Sequence, residues 1–96
     1  MKVIYTGHLK FRIKVRQIPL QLSRRIVKTA IEHYFDNQTN HYVAVKRANY
    51  AGKIRWMAVT YDKIGSDRIE VITIHPLDRE LIENRISRGR WGKYEK

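Results

Sequence analysis

The chain has 96 residues, 43% of them apolar, and carries 20 Lys and Arg against 9 Asp and Glu, a formal net charge of +11. It has no cysteine, which excludes a disulfide framework and a thiolate metal site, and no apolar run approaches the roughly 20 residues that cross a bilayer. One cytoplasmic domain spanning residues 1–96 is expected, with nucleic acid as the first candidate for the polyanion that such a charge excess calls for.

Residues 2–5, KVIY, are a short apolar start suited to an edge strand or to packing on the first element. The next stretch, HLKFRIKVR from His8 to Arg16, has two readings. Leu9, Phe11, Ile13 and Val15 alternate with His8, Lys10, Arg12, Lys14 and Arg16, the period of a half-buried strand. On a helix, His8, Arg12 and Arg16 would instead stack in one stripe between two apolar flanks. Periodicity alone favours the strand.

From Pro19 to about Phe35 the pattern predicts a helix. Pro19 suits a first helical turn, and Leu22, Ile26, Ala30 and Tyr34 recur every four residues with Val27 and Ile31 beside them. FDNQTNH reads as a turn. HYVAVKRANY, IRWMAVTYD and RIEVITIHP follow as three strands, joined by short turns around Gly52 and Gly65 into an antiparallel meander. Asp78 then opens a helix that buries Leu77, Leu81, Ile82 and Ile86, and Gly89 stops it. RWGKYEK is read as a basic tail, with residues 94–96 disordered. The order is helix or strand, helix, three strands, helix: an α+β domain with its helices on one face of a sheet.

His8-x3-Arg12-x3-Arg16, followed by YVAVKR, RWMAVTYD, IEVITIHP and RISRGRW, resembles a family of small prokaryotic domains with an H-x3-R-x3-R-G-I opening. That family is grouped with the Barnase–EndoU–colicin–RelE superfamily of compact RNases and toxins. Two departures stand out: Gln17 replaces the glycine that follows the second arginine, and HYFDN replaces an Asn-Pro helix end. The resemblance implies a helix over residues 7–16 and a RelE-like fold of two N-terminal helices, a three- or four-stranded antiparallel sheet and a C-terminal helix. It also implies RNA cleavage without a metal or cofactor, by attack of the ribose 2′-hydroxyl on the adjacent phosphate.

Such chemistry needs a proton-transfer group and cations on the phosphorane. His8 is the leading imidazole, Arg12 and Arg16 are spaced to hold phosphate oxygens, and His75 closes a strand just before a helix. Lys46, Arg47, Tyr61, Arg85, Arg88 and Arg90 are the candidate nucleic-acid contacts, RNA being favoured over DNA because cations here mix with aromatic residues. The bland alternatives are a hydrogen-bonded core role for His8 and His75, and a core-sealing role for Trp91. His33 and His41 lack metal-ligand spacing and are read as solvated or turn-packed, so no metal site is expected. Three functions stay open: a RelE-like RNase, of which one form is a toxin covered by an acidic antitoxin; a non-catalytic RNA- or DNA-binding module; and a domain docking an acidic protein.

Overall fold

The computed structural model describes residues 2–5, 7 and 20–94, with side chains described for 3, 4, 7 and 21–94. Six strands form one mixed sheet: β1 (Lys2–Tyr5), β2 (Glu32–Asp36), β3 (His41–Tyr50), β4 (Lys53–Ile64), β5 (Arg68–Pro76) and β6 (Trp91–Tyr94). Their spatial order is β1-β5-β4-β3-β2-β6. β1 runs parallel to β5, and the other neighbours are antiparallel. Two helices, α1 (Leu20–Thr29) and α2 (Arg79–Ser87), complete the described residues. This corrects the expected fold of two N-terminal helices with a three- or four-stranded antiparallel sheet. The helix read over residues 7–16 lies, apart from Gly7, outside the described residues.

The predicted meander is present as β3, β4 and β5. Ala51 and Gly52 make the first turn, both with positive φ (54° and 79°), the backbone that lets two residues reverse a twisted hairpin. Two strands were misread. The helix predicted to Phe35 stops at Thr29, and residues 32–36 form β2 instead. A buried side chain accounts for the change: Nε2 of His33 donates to the Ala30 carbonyl at 3.0 Å, occupying an acceptor that a continuing helix would use. In the neutral ring Nδ1 then accepts from the Tyr61 hydroxyl at 2.8 Å. The expected basic tail is β6, an edge strand zipped onto β2, with Trp91 only 3% exposed.

The helices cover opposite faces of the sheet, which corrects their expected placement on one face. Leu22, Ile26 and Val27 of α1, with Ala30 just after it, pack on Met57, Val59, Tyr61, Ile69, Val71 and Ile74. Ile82 of α2 packs on Tyr34, Val43, Val45, Ala58 and Trp91 on the other side. Strand residues alternate between faces, so Val71 and Ile74 share one only because β5 carries an extra residue. Tyr61 pairs with Val71 and Thr60 with Thr73, leaving Ile72 as the bulge. Among the described residues no helix is long and apolar enough to cross a membrane.

Candidate functional site

Directly paired residues share a face, so the register of the sheet assembles rows of side chains. On the α2 side one row runs from Trp91 through Asp36 to His41. A second carries Tyr34, Val43, Thr60 and Thr73, and a third carries Glu32, Val45, Ala58 and His75. α2 crosses this face carrying Arg85, and the chain leaving it brings Arg90 over the first row. The result is a cavity of about 290 Å³ lined by His41, Thr60, Thr73, His75, Arg85 and Arg90 among others. That volume is near the lower limit of small-molecule pockets.

The first row is fixed by ion pairs. Arg90 donates Nε and an NH2 to the Asp36 carboxylate at 3.1 Å. Burial acts to raise the Asp36 pKa, but the Arg90 bonds and the Gln38 amide outweigh it and hold the group at about 2. Asp36 also accepts from the Gln38 amide at 2.9 Å, which shapes the 37–40 turn and sets the start of β3. Beside it, Nδ1 of His41 lies 2.7 Å from Oδ1 of Asp62. A carboxylate on one ring nitrogen fixes the orientation of the imidazole and leaves Nε2 for other chemistry.

Arg85 is the unbalanced charge. Its guanidinium lies over the Trp91 ring, 5.3 Å from the centroid, and among the described residues no carboxylate pairs with it. Burial and the neighbouring Arg90 both lower its pKa. Two guanidiniums thus converge on a cavity that holds a single carboxylate, Asp36. An anion entering there meets two half-buried, planar guanidinium donors suited to phosphate oxygens.

The sequence-predicted residues fall in several places. His75, Arg85 and Arg90 line this cavity together. His8, Arg12 and Arg16 lie outside the described residues. Arg88 ends α2 on another surface, beside Asp78 and Glu80. Lys46 and Arg47 line a separate groove with Ile31 and Trp56. Tyr61 is fully buried and bonded to His33, so as a nucleic-acid contact it is corrected to a core residue. His41, read as solvated or turn-packed, is instead the oriented imidazole of the cavity. Hairpin register was the signal that would have found it. A two-residue turn at Ala51–Gly52 sets Tyr50 opposite Lys53, and counting outward brings His41 opposite Asp62.

His41 and His75 do not form a working pair. They stand two strands and two rows apart, roughly 16 Å between Cα atoms by standard sheet spacings. Among the described residues, no group of three or more His, Cys, Asp or Glu is arranged to hold a metal ion. No protein-family model, curated protein or solved structure matches this chain.

Proposed function

We propose that this domain binds single-stranded RNA, holds one phosphodiester in the Arg85–Arg90 cavity and cleaves it without a metal. The observation that carries this is the Asp62-oriented His41 at a cavity where two arginines outnumber the carboxylates. In this scheme His41 takes the proton of the 2′-hydroxyl as that oxygen attacks the adjacent phosphorus. Arg85 and the free side of the Arg90 guanidinium carry the growing charge on the equatorial oxygens. The phosphorus–5′-oxygen bond breaks, the leaving oxygen takes a proton from water, and a 2′,3′-cyclic phosphate remains. The net charge of +11 supports the same reading, as does the resemblance of the H-x3-R-x3-R opening to a family of small uncharacterised domains grouped with compact RNases and toxins.

The test is a 5′-labelled single-stranded RNA incubated with EDTA and wild type, His41→Ala, Arg85→Ala or His8→Ala protein. Cleavage with cyclic-phosphate ends in the wild type, lost by at least a hundredfold in His41→Ala, is the expected result. Loss in His8→Ala with none in His41→Ala returns the chemistry to the N-terminal His/Arg stripe. Salt-sensitive binding with no cleavage by any protein leaves a non-catalytic RNA-binding module, whose affinity falls steeply with ionic strength as counterions are released.

A further inference from the structure

We propose that the groove around Trp56 docks an acidic protein segment carrying bulky apolar side chains. This groove lies beyond the N-terminal end of α2, apart from the His41 cavity, and it does not depend on the RNA reading. Ile31 stands 94% exposed and Ile54 58% exposed. Ile31 and Trp56 line a cavity of about 340 Å³, and Ile54 and Trp56 line a second of about 250 Å³. Trp56 is therefore the shared floor of a groove with an exposed isoleucine at each end.

The rim is cationic and unbalanced. Among the described residues no carboxylate pairs with Lys46, Arg47 or Arg55. Two carboxylates among the described residues line the groove: Glu32, which accepts from Arg79 at 3.0 Å and from the Tyr34 hydroxyl at 2.7 Å, and Asp78 at the α2 end of the groove. The acid form of Glu32 is disfavoured as a result, since these bonds lower its pKa against the opposing effect of burial. Lys46 donates to the Thr29 hydroxyl at 2.6 Å, while Arg47 and Arg55 have no carboxylate partner among the described residues. Lys46, Arg47, Arg55 and Arg79 thus outnumber Glu32 and Asp78 around an apolar trough, the complement of acidic residues flanking leucine-like anchors.

Nucleic acid fits the same groove less well. Isoleucines offer a base neither a stacking face nor a hydrogen-bond donor. The aromatic surface of Trp56 is also occupied, because the Arg79 guanidinium lies 4.6 Å from a ring centroid. Apolar burial at an exposed Ile31 is gained only with a partner that brings its own apolar side chains.

The test uses three fluorescein-labelled probes: a glutamate-rich synthetic peptide with leucines at helical spacing, the same peptide with serines replacing the leucines, and a single-stranded RNA. Wild-type protein should bind the leucine peptide at least tenfold more tightly than the serine peptide. The double variant Ile31→Ser with Ile54→Ser should lose that preference, and its unchanged circular dichroism would confirm folding, since both side chains face water. RNA binding should be the same in wild type and double variant, and His41→Ala should leave peptide binding unaltered. Equal affinity for the two peptides, or no binding of the leucine peptide, overturns the proposal. So does a double variant that keeps its preference, or one that loses RNA affinity.

Discussion

Nδ1 of His41 and Oδ1 of Asp62 meet at 2.7 Å, each side chain 34% exposed, on neighbouring strands of the central hairpin. The carboxylate decides which way the imidazole points. Asp62→Asn keeps the shape and removes the charge that fixes the ring. Under the proposed RNA-cleaving function the expected outcome is a fall in cleavage of at least tenfold with RNA binding altered less than twofold. Single-turnover cleavage measured beside fluorescence anisotropy separates the two effects.

The Asp36–Arg90 pair makes the fold acid-sensitive over a defined window. Asp36 falls from 3.8 to about 2 on folding, so its contribution is complete above pH 4 and disappears as pH drops through about 2. The shift corresponds to roughly 2 kcal/mol at neutral pH. Asp36→Asn should lower stability at pH 7 by that amount and flatten the decline between pH 4 and pH 2, as urea unfolding at several pH values would reveal. A wild-type decline as flat as the variant's would contradict the pairing.

Much of this architecture could be read from the residues, and its failures have physical causes. The meander was legible because Gly52 and Gly65 punctuate alternating β-formers, and α2 because its apolar residues keep helical spacing up to Gly89. The α1–β2 boundary was not. Leu22, Ile26, Ala30 and Tyr34 continue one helical period, yet Tyr34 packs against Trp91 on the opposite face, with ring centroids 5.6 Å apart. That contact and the His33–Ala30 bond are long-range or side-chain choices that periodicity does not carry. Arg85, Arg90 and His75 were recognisable one by one as basic or terminal residues, but their convergence depends on α2 crossing the sheet.

Ala51 occupies the left-handed region at φ 54°, a conformation that costs a residue with a Cβ roughly 1–2 kcal/mol. Asparagine tolerates it and forms the Asn-Gly pair favoured in such turns. Ala51→Asn should therefore raise stability by about 0.5–1 kcal/mol, seen as a higher midpoint in urea at unchanged slope. A lower midpoint would show that the turn is not the one described.

Ile82 and Leu81 offer a matched comparison on one helix. Ile82 is fully buried against the sheet and Leu81 is 42% exposed. Ile82→Ala should cost about 2–5 kcal/mol, the range for emptying a packed aliphatic site. Leu81→Ala should cost well under half of that, and chemical denaturation of the two variants decides it.

β1 and β6, the two margins of the sheet, come from opposite ends of the described chain, and each zips onto a strand far away in sequence: β1 onto β5, β6 onto β2. Long loops must close before either can dock, so the rims set after the central hairpin. Arg90 and Trp91 arrive with the last of these rims. It follows that a chain whose last strand is undocked can hold the His41–Asp62 pair but lacks the Arg90 arm over Asp36, so the two ion pairs of this face depend on different stretches of chain.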